Sequence, residues 1–179
     1  MFHPFRHFQT ITRHRHAVIR NCFRAGIPLR GLLHDLSKYS PVEFIPGAKY
    51  WSGDKSPNIG ERRACGYSLA WMHHKGRNRH HFEYWTDYAA GANGMVGMPM
   101  PPKYLAEMFC DRVAASKIYL GKAYTDAAPY EYYCHRKDGY LMHPDTSAAL
   151  ERLLRMLRDE GEEKTFAFIR HTLREKRGR

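Results

Sequence analysis

The sequence predicts an all-α chain folded as a single domain, and three observations carry that prediction. Apolar residues recur at helical spacing through most of the chain, no segment sustains the alternation of a strand, and glycine and proline fall where helices would end. The 179 residues, 43% of them apolar, suffice for one buried core and leave little room for two. That apolar share also excludes an intrinsically disordered chain. No apolar run approaches the ~20 residues needed to cross a bilayer. The start, MFHPFRHFQT, lacks the apolar stretch of a secretory leader, so a cytoplasmic location is expected. Cys22, Cys65, Cys110 and Cys134 form no C-x-x-C pair, which fits reduced thiols and disfavours a cysteine zinc site.

The first helix is expected over about residues 5–25, closed by Gly26 with Pro28 following. On a helical period Thr12, His16, Ile19 and Phe23 share one side, next to Ile11, Val18 and Cys22. His16 then sits at the edge of the buried face, and His14 flanks the opposite edge. A second helix starts at Pro28 and ends near Tyr39, with Leu29, Leu32, Leu33 and Leu36 as its buried stripe. Ser40, Pro41 and Glu43 read as a capping box that opens a third helix, kept short by Pro46 and Gly47. Residues 52–60 read as a loop, and another helix covers about 61–75. The Gly-, Pro- and Met-rich stretch 91–102 reads as a long loop. The next helix, about 102–120, sets Tyr104, Met108, Asp111, Ala115 and Ile118 along one face. Two or three more are expected around 130–136, over 144–160, and from 162 into a basic tail at about 172–179.

The chemical signal is the histidine content: 12 residues, in a chain of net charge +11. His3, His7, His135, His143 and His171 scatter near ends and turns and read as surface residues or caps. The others group, with His14 and His16 on the first helix, His34 on the second, and His73, His74, His80 and His81 close together. Each buried imidazole needs partners for its N–H and its lone pair, so such a group makes a poor core. Neutral imidazole is, however, the commonest protein metal ligand. Asp35 among leucines and Asp111 on an apolar face would each cost several kcal/mol if buried without compensation. A divalent cation between them, ligated by histidines, removes that cost. A salt bridge from Asp111 to Arg112 or Lys117 is the alternative. The basic balance points to a phosphate-bearing small molecule or to nucleic acid.

The order His…His-Asp…His-His…His-His…Asp resembles the HD superfamily of metal-dependent phosphohydrolases. In that helical fold a first His, a central His-Asp doublet and a last Asp bind a metal. HDLSK (34–38) resembles the HD-x-x-K form of its cyclic-dinucleotide phosphodiesterase branch, whose Lys faces the substrate phosphate. HHFE (80–83) is similar to that branch's HHxE element, which extends the site to a second metal. The branch's Gly-Tyr-Pro run has no counterpart; Glu83-Tyr84-Trp85 stands there, which argues against a cyclic dinucleotide substrate. A closer similarity is to a family of bacterial and phage domains of unknown function. It runs through HDLSKYSPVEF (34–44), AWMHHKGRNRHHFEYW (70–85), EMFCD (107–111) and LMHPDT (141–146).

The resemblance implies an HD-domain-like helical bundle whose first metal is held by His16, His34, Asp35 and Asp111. The histidine doublets would supply a second metal or bind phosphate. Adjacent residues on a helix diverge by about 100°, so at most one of His73 and His74 is a ligand, and His74 is preferred. That limit relaxes for His80 and His81 if they lie at a helix start. One or two divalent ions are implied, among Mn, Fe, Co, Ni and Zn. Lys38, an (i, i+4) neighbour of His34, would lie on the metal's side and hold a substrate phosphate, with Asp35 orienting the nucleophile. Arg77 and Asn78 are further substrate-binding candidates, and Trp85 belongs either to the pocket or to the core. The expected function is metal-dependent hydrolysis of a nucleotide or other phosphate ester. Two readings stay open beside it: a di-iron oxygenase on the same scaffold, and a nucleic-acid-binding protein with a structural metal.

Overall fold

The computed structural model describes residues 2–91 and 94–175. In chain order these form α1 (Pro4–Arg24), α2 (Pro28–Leu33), α3 (Pro41–Lys49), α4 (Pro57–Cys65), α5 (Leu69–Arg77), β1 (Thr86–Tyr88), β2 (Met95–Gly97), α6 (Pro102–Leu120), α7 (Ala128–Cys134) and α8 (Pro144–Glu175). The predicted all-α class holds, and the two strands pair only with each other, antiparallel, Asp87 opposite Val96. No helix among the described residues is long and apolar enough to cross a membrane.

Helix α1 is the central rod, packed on α2, α3, α6 and α8. Proline at its first turn starts it, where the missing N–H costs nothing. A Schellman motif ends it: Gly26 lies at φ 77°, its N–H donates to the Phe23 carbonyl, and the Ile27 N–H donates to Cys22. Its buried face is His7, Ile11, His14, Val18 and Cys22, rotated from the predicted one. His16 and Phe23 are exposed. The expected stripe misled because two of the truly buried positions carry polar imidazoles. His7, expected at the surface, is 5% exposed and fits only because Gly47 of α3 has no side chain there.

The second correction concerns α2, which stops after six residues. Its Gly31 lies on Cys22 and Ile19 of α1, so near that a Cβ would come within 2.7 Å of the Cys22 side chain. With Gly31 facing inward, Leu29, Leu32, Leu33 and Leu36 point outward, and Leu29 is 72% exposed. The predicted buried stripe is therefore the outer surface. The predicted helix over 61–75 is two helices, parted where Gly66 adopts φ 80° and Ser68 caps the Trp71 N–H at 2.9 Å. The predicted loop over 91–102 contains β2, and its residues 92–93 lie outside the described residues.

The apolar core gathers where α1, α6 and α8 meet, around Val18, Cys22, Phe109, Val113, Leu154 and Phe166. Phe109 and Phe166 meet edge to face at 5.7 Å. Helix α8 breaks at Gly161, whose φ 81° and ψ 174° are non-helical, so the two helices expected on either side are present. The last part of the predicted basic tail, 176–179, lies outside the described residues.

Candidate metal centre

Four short regions converge beside the upper half of α1. The decisive one is the end of α2. His34 leaves the helix with ψ 129°, and Asp35 follows at φ 52°, the one positive-φ residue other than glycine among the described residues. Left-handed backbone costs an L-residue roughly 1–2 kcal/mol, with Asp and Asn among the most tolerant side chains. The gain is geometric. On a continuous helix two neighbours diverge, whereas this break turns both His34 and Asp35 inward. A 3-10 turn, Leu36–Tyr39, then carries Lys38 back onto Asp35 at 2.7 Å.

Three groups of donor atoms form among the described residues: His34, His80 and Glu107 make one on the Nδ1 side of the two rings, and the other two both use Asp35. The first of these two contains His14, His34, Asp35 and Asp111. His14 Nε2 lies 3.0 Å from Asp111 Oδ1, and His34 Nε2 lies 3.2 Å from Asp35 Oδ2 and 3.7 Å from Asp111 Oδ1. The second contains Asp35, His74, His80 and His81. Asp35 Oδ1 stands 3.4 Å from His74 Nε2 and 3.5 Å from His80 Nε2, and the Nε2 atoms of His74 and His81 are 2.9 Å apart. Ligands at about 2.1 Å around a tetrahedral ion lie about 3.4 Å from one another, so these spacings match a shared cation.

Carboxylates outside the two Asp35 sets hold the rings by their other nitrogen. Glu107 Oε1 accepts from His34 Nδ1 at 3.1 Å and His80 Nδ1 at 3.2 Å. Glu43 takes His73 Nδ1 on one oxygen at 2.6 Å and His74 Nδ1 on the other at 2.7 Å. Such bonds fix the tautomer and aim Nε2 at the site. They also explain why the predicted capping box fails: Ser40 caps nothing through its side chain, and the Glu43 carboxylate is engaged by the histidines instead.

The electrostatics fit a cation. His14 Nε2, His34 Nε2, His80 Nε2 and both Asp35 oxygens are buried, and their close contacts with one another, with Asp111 and with Lys38 lack the direction of a hydrogen bond, a crowding of polar atoms that a native interior rarely leaves uncompensated. Burial raises the Asp35 and Asp111 carboxyls, yet neighbouring imidazoles, and Lys38 for Asp35, hold both well below the usual carboxylate range. Burial lowers His34, but Asp35 and Glu107 overcome it and push the imidazole up to about 10. His81 is held well below its ordinary value, first by burial and then by the charges of His80 and His74, which leaves its lone pair free. A divalent ion satisfies these atoms together, with His14, His34, Asp35 and Asp111 able to hold one and Asp35, His74, His80 and His81 another.

Of the predicted ligands, His34, Asp35, His74, His80, His81 and Asp111 come together, and His16 does not. The position belongs to His14, two residues earlier and on the buried face. The alternative partners of Asp111 are occupied elsewhere: Lys117 pairs with Glu162, and Arg112 lies over the rings of Tyr133 and Tyr140. Asn78, predicted to bind substrate, is buried and donates to Ser37 Oγ at 2.9 Å and to the His74 carbonyl at 2.8 Å, which braces the site, and it also lines a pocket on the Arg30 side of Glu107. Arg77 lines the same pocket. Trp85 packs against the core, its Nε1 bonded to the Arg79 carbonyl at 2.7 Å. Glu43 and Glu107 were missed. Glu107 carried a readable sign, standing four residues before Asp111 on the same helical face.

Comparison with curated proteins, and with solved structures, returns no match. A family model matches residues 3–156, and that span takes in every donor named above. The chain belongs to the family of unknown function DUF5662.

Proposed function

We propose that the protein is a metal-dependent phosphohydrolase of HD type, acting on a nucleotide or another phosphate ester. The observation that carries the reading is the carboxylate shared by two donor sets: one Asp35 oxygen faces each. Divalent ions held there would acidify water and polarise a phosphoryl oxygen. The chain's own groups supply the rest. Lys38 brings a positive charge to the edge of the site, where it can neutralise a non-bridging phosphate oxygen. Glu107 and Glu43 hold the imidazoles in register, so reacting groups meet a fixed frame. The net charge of +11 favours an anionic substrate.

Metal content after purification without added metal, followed by a phosphoester panel with Mn, Fe, Co, Ni or Zn, tests this. Asp35→Asn is the informative variant, since asparagine tolerates the left-handed turn while removing the charge. Hydrolysis by the wild-type chain, lost in Asp35→Asn with an unchanged fold, is the expected result. Metal binding without hydrolysis of any ester overturns the reading. Two equivalents of iron with a visible absorption band would favour oxygen activation, which imidazole and carboxylate donors also suit.

A further inference from the structure

Glu107 has a second side. While Oε1 faces His34 and His80, Oε2 accepts the Nε and Nη2 of Arg30, both at 2.7 Å. Beyond Arg30 a pocket of about 230 Å³ opens, walled by Arg30, Arg77, Arg79, Tyr104 and Asn78, with Glu107 at its base. The Arg30 guanidinium lies 4.4 Å over the Tyr104 ring, and Arg79 donates to the Tyr104 hydroxyl at 3.4 Å. The pocket therefore gathers three guanidinium groups around a single carboxylate that two imidazoles already share. The excess positive charge registers on Tyr104. The Arg79 hydrogen bond, working against burial and joined by the charges of Arg30 and Lys103, holds its phenol below the ordinary range.

We propose that this pocket binds a phosphate-class oxyanion and lies back to back with the metal centre through Glu107. Planar guanidinium forks match the oxygens of a phosphate in pairs, which a lysine cluster could not do. The volume lies below the roughly 300–1,000 Å³ of pockets that engulf a whole drug-sized ligand. The pocket thus suits free phosphate or the phosphate end of a larger molecule. Arg30 would serve both the anion and Glu107, so the two sites share one residue at their boundary. The inference rests on the pocket's own walls and stands whether or not the metal centre hydrolyses phosphate esters.

Calorimetric titration of the full-length chain tests it, with inorganic phosphate in one arm and adenosine monophosphate in the other, at ionic strength held by potassium chloride. Saturable binding is expected in the wild-type chain. It should persist in Asp35→Asn, whose metal centre is disabled, and weaken about tenfold or more in Arg77→Ala/Arg79→Ala. Both arginines are exposed, so the double variant should keep its circular dichroism spectrum and melting temperature. Tighter binding of the nucleotide supports an esterified phosphate as ligand, and its exclusion supports the free ion. Wild-type affinity in the double variant, loss of binding in Asp35→Asn, or abolition by matched chloride each overturns the proposal.

Discussion

Replacing Glu107 by glutamine isolates what an outer carboxylate does for the metal centre. In the native chain one oxygen accepts two imidazole N–H groups at 3.1 and 3.2 Å, and the other accepts two donors of Arg30 at 2.7 Å. Glutamine offers a single oxygen. If that oxygen stays on the histidines, the amide N–H₂ faces the guanidinium, donor against donor. Arg30, whose side chain is 31% exposed, can turn to water, whereas buried His34 and His80 cannot. Charge-assisted hydrogen bonds contribute about 1.5–3 kcal/mol each. With the imidazole bonds kept but weakened, a net folding loss of about 2 kcal/mol is expected. Metal affinity should fall roughly 10- to 100-fold, because the rings lose basicity and register. Competition against a chromophoric chelator at pH 7 measures it. Unchanged affinity would show that these bonds do not govern the site. Complete loss of the ion would make Glu107 a direct ligand through the Nδ1 side, where it forms a third donor group with His34 and His80.

Three further outcomes follow from the same geometry. His14→Ala should remove about one equivalent of metal and His16→Ala none, read by elemental analysis, since only His14 faces Asp111. The metal-free chain should be most stable near pH 6.5, because His7, His14 and His81, all lowered first by burial, withdraw stability as pH falls below it. Glu107, at about 2 against an ordinary 4.5, contributes fully above 4.5 and loses that contribution as pH falls toward 2. His34, at about 10 against 6.5, contributes fully below 6.5 and loses it as pH rises toward 10. Added metal replaces the His34 proton and should flatten the alkaline limb of the melting-temperature profile; an unaltered limb would place the ion elsewhere. Gly47→Ala puts a Cβ 2.2 Å from His7 Nε2 and should cost about 1–3 kcal/mol by overpacking. That cost should shrink in a His7→Ala background, and equal costs in both backgrounds would refute the contact.

The parts of this structure legible in its sequence are those set by local chemistry. Pro102 and Gly121 bound α6, and Gly161 breaks α8, because proline and glycine act through the backbone of their own position. The histidine and aspartate groups were legible as a donor set, since no ordinary core collects them. What could not be read depends on tertiary placement. The face of α1 is hidden because His7 and His14 count as polar while Phe23 counts as apolar, yet the packing of α3 and α6 buries the former pair. The leucines of α2 look like core until Gly31 is seen against Cys22. Glu43 obeys a helix-start pattern so well that its part in holding His73 and His74 was masked.

The left-handed turn at Asp35 sets a narrow rule for substitution. Glycine would relieve the backbone but bring no oxygen, asparagine would keep the turn but lose the charge, and glutamate would keep the charge but fit the turn poorly. Aspartate alone meets both demands, so no chain of intermediate residues leads smoothly away from it. Under the proposed paired centre, a homologous chain carrying another residue at this position would lack the carboxylate common to both donor groups, whatever histidines it retained. One column of an alignment would then sort the family into chains that can hold a paired centre and chains that cannot.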